Sequence, residues 1–407
     1  MSTRRTLLAR LAGLSSAVGL AGCARILGKR APTPADLPPN PRADQLPARQ
    51  HAWDSAVTTD SHGNPVMPGH HRVVLLTLRS EPSEAAAATI ERALRSLEAA
   101  YDWAPDGLLH SLAWGTQYFE RIGALDDSPI RRPRVISRTD DPDLLAFDAA
   151  LVLASEVPSH LAAVDSAMFG SRSSLNGTTI DDRLGEVFSV AGRRTGFVGE
   201  GLPAAHTDAE GVPPGVPEDA PLFTGFFSGR RGTQASEERV TIQEGHYEGG
   251  TTMHLSRLDE SLSGWWDMAD EERIARMFSP TFSAEDVAAL EDDVPFGEAV
   301  ADHASEFGIA GHHEKVARAR EDGEPIILRR DFNTTDGGQA GLHFLALQRS
   351  LADFEKTRRA MNGWYLRDDH TDVTDRQNNG LLNFITVASR ANFYVPPRSQ
   401  RAFPGPG

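Results

Sequence analysis

The chain has 407 residues, enough for two domains of ordinary size or one large one. Its net charge of -16 argues against a nucleic-acid partner. Cys23 is the only cysteine, so an intramolecular disulfide is excluded. Lysine occurs only as Lys29, Lys315 and Lys356, the remaining basic residues being arginine. Much acid with little lysine suits a protein kept hydrated in strong salt; GC-rich coding gives the same bias.

The N-terminus reads as an address. Arg4-Arg5 precede an apolar stretch running to about Leu20, too short for a comfortable membrane span, which ends Leu20-Ala21-Gly22-Cys23. That ending looks like a lipobox. Residues 1–23 are therefore expected to form a twin-arginine signal, with lipid attached at Cys23 and the protein held on the outer face of the cytoplasmic membrane. The alternative is a stray cysteine in a cleaved signal. Residues 24–69, Pro-rich at the start, are expected to be a tether.

The folded body is expected from about residue 70. Arg72 to Leu78 is a continuous apolar run suited to a buried strand, and Ser80 to Tyr101 has helical spacing through Ile90, Leu94 and Leu97. Leu108–Trp114 and Phe147–Ala154 read as strands, with a helix starting at Pro158. This order predicts an α+β sandwich of ferredoxin-like type over residues 70–225. Three glycines surround Glu200, so a turn is expected there; its carboxylate is a candidate acid/base or simply a solvated loop residue. From Asp208 to Glu238 the chain is rich in Pro, Gly and acid, and reads as a long surface connection between halves.

Residues 226–400 repeat the plan. Arg239–Gln243, Thr251–Leu258, Ile326–Arg329, Leu342–Gln348 and an aromatic stretch within Leu381–Tyr394 are expected strands, with helices over Asp259–Met277 and Leu351–Met361. Between them lies GHHEKVARAR, carrying His312 and His313, and then Arg329-Arg330 at the end of an apolar run. His254 and His343 fall in strands and read as satisfied core or surface histidines. HExxH spacing, a P-loop and a dinucleotide-binding glycine fingerprint are all absent from the sequence.

Three stretches together resemble the dye-decolourising (DyP-type) haem peroxidases, especially their twin-arginine-exported members. GHHEKVARAR followed by ILRRDF resembles the family's histidine-bearing helix and the strand after it. GLHFLALQRSLADFEKTRRAMNG resembles the strand and helix that follow, and GFVGEGLP stands in the place of the family's GxxDG loop. The tail NFYVPP resembles the family's last strand. Two departures accompany the match: Glu200-Gly201 replaces Asp-Gly, and the spacing from His313 to the arginine pair is slightly short.

The resemblance implies two ferredoxin-like halves in a dimeric α+β barrel-like arrangement, with haem b bound mainly by the second half. It makes His313 the iron ligand, with a carboxylate partner the sequence does not identify. Arg329, or else Arg330, becomes the haem-face cation, and Glu200 the proton-moving carboxylate. The implied reaction reduces hydrogen peroxide and oxidises an organic or dye-like donor outside the cytoplasm. Trp265, Trp266, Trp364 and Tyr365 are candidate electron relays or plain core. A homo-oligomer is compatible with the sequence. Two other readings remain: a non-catalytic haem-binding or haem-delivery lipoprotein of the same fold, and a non-haem metal protein using the histidine pair.

Overall fold

The structure, a computed structural model, describes residues 37, 40–61, 63–288, 299–366 and 369–406. The twin-arginine stretch, the lipobox and Cys23 lie outside the described residues. The apolar run after residue 70 is strand β1 (His70–Leu78), followed by helix α1 (Glu84–Ala100), β2 (Leu109–Gly115), β3 (Ala149–Ser155), α2 (Pro158–Phe169) and β4 (Phe188–Phe197). α1 starts where the Ser83 side chain accepts the Ala86 N–H. Its buried positions, Ile90, Ala93, Leu94 and Leu97 among them, recur at helical spacing.

The second half contributes β5 (Thr251–Glu260), α3 (His312–Val316), β6 (Leu328–Arg329), β7 (Phe332–Thr334), β8 (Gly341–Gln348), α4 (Leu351–Asn362) and β9 (Ile385–Val395). The Asp259–Met277 stretch forms two helices, Leu262–Trp266 and Asp270–Met277, instead of one. Arg239–Gln243 is not a strand: Glu237–Val240 turns once as helix, because Ser236 accepts the Arg239 N–H and two carboxylates open the turn.

The strands run round the sheet in the order β5-β8-β7-β4-β1-β3-β2-β9, and β9 pairs back onto β5, closing a barrel of antiparallel neighbours. β6 joins as a second, short partner of β8, at Leu328↔Leu347. Pairing within each half is long. Between halves it is thin: Asn333↔Phe197 on one side, Phe393↔Gly115 and Tyr394↔Trp114 on the other. The fold is thus mixed α+β around a closed, barrel-like sheet.

Side chains alternate across this sheet. Val73, Leu75, Val152, Met253, Leu328, Leu345, Leu347 and Phe393 share an inner core, and Val74, Leu76, Leu112 and Leu151 share an outer one with α1 and α2. Because both faces of β1 are covered, the strand reads as one continuous apolar run.

The body begins before residue 70. Trp53 is 1% exposed inside the inner core, with Nε1 donating to Gln50 O, and the Gln50 side chain bonds to Leu112 N, Leu112 O and Pro396 O. The stretch expected to be tether up to residue 69 therefore packs as core around Gln50–Trp53. The described residues all fall in one compact unit, Ala31–Gly407.

Candidate functional site

The outer face of β5, β8 and β9 is roofed by the second-half helices and the 222–233 loop. Between sheet and roof lies a cavity of about 1050 Å³ of space free of protein atoms, its mouth included. Its walls are mainly apolar: Leu258, Leu342, Phe344 and Val387 from the sheet, Phe226, Phe278 and Met361 from the roof.

Alternation on β6 and β7 decides which arginine enters. Leu328 and Arg330 face the barrel interior, whereas Arg329 and Asp331 face the cavity. Arg330 stacks on Trp53, 4.3 Å from the ring centre, and donates to Glu237 at 2.7 Å and to His51 O at 2.8 Å. Arg329 donates to Ser228 O at 2.7 Å and to Thr233 Oγ1 at 3.0 Å. These loop oxygens therefore fix its guanidinium at the cavity wall.

His312 and His313 both line the cavity. α3 is held in place at its start, where the Glu314 carboxylate accepts the Gly311 N–H at 2.6 Å. Gly311 lies so close to Phe278 that a Cβ there would stand 1.9 Å from its carbonyl oxygen. Glu314 also meets His303 Nδ1 at 2.8 Å. The Phe278 ring stands edge-on to His313 at 5.7 Å. Burial, with Arg329, Arg230 and Arg320 nearby, pushes His313 down to about 3, and burial first, then Lys315, holds His312 well below the ordinary histidine range. Both are neutral imidazoles at working pH, the form that binds a metal.

Glu200 is placed elsewhere. Gly199 and Gly201, with φ of 125° and 80°, turn the chain tightly and leave Glu200 exposed between them. It is not among the described residues that line the cavity. The acid/base position expected of it is therefore not in contact with His313 and Arg329.

Four wall residues escaped the sequence reading: Glu260, Asp331, Arg358 and Arg390. Glu260 Oε2, Asp331 Oδ1, Arg358 Nε and two nitrogens of Arg390 are buried without a hydrogen bond in the protein, as is Nδ1 of His312. Burial alone pushes Glu260 up to about 8, and burial, opposed by Arg329, pushes Asp331 up to about 7. Arg358 is paired with Asp140 at 2.8 Å, while Arg390 is 2% exposed and lies over Phe354 at 5.8 Å. Asp140 is the one anion acting on both guanidiniums and bonds only Arg358, so the unbonded nitrogens of Arg390 make this end of the cavity suit a ligand bearing carboxylates. Only the i, i+2 spacing of Arg329 and Asp331 in an extended stretch could have signalled any of the four.

His254 is satisfied core, as expected: Nδ1 meets Asn392 Oδ1 and Nε2 meets Ser256 Oγ, each at 2.7 Å. His343 pairs with Asp336 at 3.0 Å. Trp265 is buried, and it and Trp266 donate to Thr224 O and Phe223 O. Trp364 faces Arg138, and Tyr365, 38% exposed, faces Arg318.

The model of DUF7405, a family of unknown function, matches residues 68–397. Among curated proteins none matches. Solved structures do. A variant of DypB from Rhodococcus jostii RHA1, in complex with heme, is 14% identical with a TM-score of 0.54 and covers 88% of this chain and 100% of its own. A dye-decolorizing protein from V. cholerae is 15% identical, TM-score 0.50, covering 82% and 96%. A dye-decolorizing peroxidase from Bacteroides thetaiotaomicron is 13% identical, TM-score 0.50, covering 85% and 97%. At such identities the likeness is one of fold.

Proposed function

Since the chain belongs to DUF7405, a family of unknown function, its activity must be argued from its cavity, and we propose that it is a haem-dependent peroxidase of DyP type. One observation carries the reading: a large apolar cavity has a neutral histidine pair and the fixed cation Arg329 on its walls. The donor set fits haem, because the orphaned Arg390 and its neighbour Arg358 would meet the propionates and the apolar walls would take the ring. The related fold of a haem-bound DypB supports it.

His313 would be the iron ligand, bound as neutral imidazole. When bound, haem would supply a redox-active iron able to accept the oxidising equivalents of hydrogen peroxide. Arg329, permanently charged and already held by Ser228 and Thr233, would stabilise negative charge developing on the departing peroxide oxygen. An organic or dye-like donor would return the electrons. Each half carries the strand order of a ferredoxin-like sheet, β4-β1-β3-β2 and β7-β8-β5-β9, so we read the body as two such halves with haem b in the second. The twin-arginine and lipobox patterns support export and anchoring through Cys23. The exposed position of Glu200 favours a second reading, a haem-delivery lipoprotein without efficient peroxidase chemistry.

The test is an absorption spectrum of protein produced with a haem supply, before and after peroxide. A Soret band that shifts with peroxide and returns with a reducing dye is the expected result. A band indifferent to peroxide would establish the carrier, and no band would sink both haem readings. His313→Ala should lose or weaken haem; normal ligation in that variant would overturn the choice of ligand.

A further inference from the structure

Resting on the peroxidase reading, we propose that Asp331, and not Glu200, is the carboxyl that moves the proton when peroxide is cleaved in this cavity. Three observations on the wall carry this. Asp331 lies two residues from Arg329 on the same face of the chain, so carboxyl and guanidinium front one space. Asp331 is 8% exposed, with Oδ1 lacking any hydrogen bond in the protein and Oδ2 only 3.5 Å from Ser228 Oγ. Glu200, by contrast, is exposed on a turn that does not line the cavity.

The other carboxyl on the wall is a poorer candidate. Glu260 is held neutral by burial, with no cation acting on it, so its charged form has no support. Asp331 has Arg329 beside it, which opposes its burial and leaves it close to neutral pH. A group that must accept a proton and release it again works best there. The remaining charged groups facing the space are Arg230 from the loop, the neutral pair on α3, and the Arg358–Arg390 pole.

The step is balanced without changing the residue. The Asp331 carboxylate takes a proton from the inner oxygen of hydrogen peroxide and gives it to the outer oxygen as the O–O bond breaks. That oxygen leaves as water. Over the cycle one peroxide, two electrons from the organic donor and two protons give two waters, and the carboxylate is regenerated. Arg329 stabilises the departing oxygen until the proton arrives.

Cyanide provides a readout apart from turnover, since hydrogen cyanide must give up its proton as it binds ferric haem. In the haem-loaded protein, the cyanide on-rate should show an ionisation near neutral pH that Asp331→Asn removes, with binding slowed roughly tenfold or more and peroxide turnover roughly 100-fold or more. Glu260→Gln should keep the inflection. Infrared difference spectra of the haem-free protein should show a protonated carboxyl band that titrates near neutral pH and is missing in Asp331→Asn. That measurement stands even if a variant loads haem badly. An unaltered cyanide profile in Asp331→Asn, or loss of the inflection in Glu200→Gln instead, would overturn the proposal while leaving the peroxidase reading intact. Failure of the parent protein to take haem would overturn both.

Discussion

At the scale of single residues, burial decides the chemistry of this site more than residue type does. Glu260 shows it most plainly, with burial pushing its carboxyl up to about 8 from an ordinary 4.5. Its proton stays on in the native chain and comes off in the unfolded one, so stability is undiminished below about pH 4.5 and falls as pH rises towards 8. In haem-free protein, Glu260→Gln should flatten that fall. The variant should equal the parent at pH 4 and be more stable by up to a few kcal/mol at pH 8, each tenfold change in proton affinity being worth about 1.4 kcal/mol. Urea melts at the two pH values check it, and a variant that gains nothing at pH 8 would mean the carboxyl is not held neutral. His313 and Arg329 became candidates through the resemblance of GHHEKVARAR and ILRRDF to a known family, the bare histidine and arginine pairs being weak signals, and both line the cavity. The sequence hid Glu260 and Asp331, since an acid at a strand end looks solvated until the layer above it is known.

At the scale of elements, continuous apolar runs such as β1, β3 and β8 were legible because burial on both faces leaves no other pattern. β4 was not. Its sequence FSVAGRRTGF carries two glycines and two arginines and is only partly buried, so its place in the sheet comes from pairing with β1 along its whole length. The short run of β6 was legible only as apolar, yet its alternation separates two adjacent arginines into different tasks. Arg330→Ala should strip the half-buried Glu237 carboxylate of its cation and Trp53 of its stacking partner, at a cost of roughly 3–5 kcal/mol, while leaving the haem spectrum of the folded fraction unchanged. Arg329→Ala should do the reverse, costing little stability and lowering turnover. Denaturant melts beside spectra of both variants decide it; a spectral change in Arg330→Ala alone would mean the two faces have been exchanged.

For the whole molecule, the barrel is closed with material from both ends of the described chain. Gln50 bridges Leu112 and Pro396, Trp53 fills the interior, and Arg398 and Arg401 pair with Glu98 of α1. None of this was visible in the sequence, where Gln50-His51-Ala52-Trp53 follows a Pro-rich stretch and has no strand or helix pattern. A tether could be shortened freely. This segment cannot: Trp53→Ala should cost roughly 3–5 kcal/mol, and a chain starting at residue 58 should lose more. Thermal melts of the two would show it, and an unchanged midpoint for the shorter chain would return residues 24–69 to the role of linker.

β9 pairs with β5 and β2 at once, and among the described residues it is the last strand to be made. While the ribosome is still short of residue 385, the first half can form its helices and its own sheet, but the second half lacks the strand that completes it. The cavity lacks Ile385, Val387 and Arg390 for the same period. A ligand that needs the finished cavity can settle only after the residues of β9 have been made. Translation itself thus imposes an order: β9 is made, the ring is sealed, and only then can the cavity be filled.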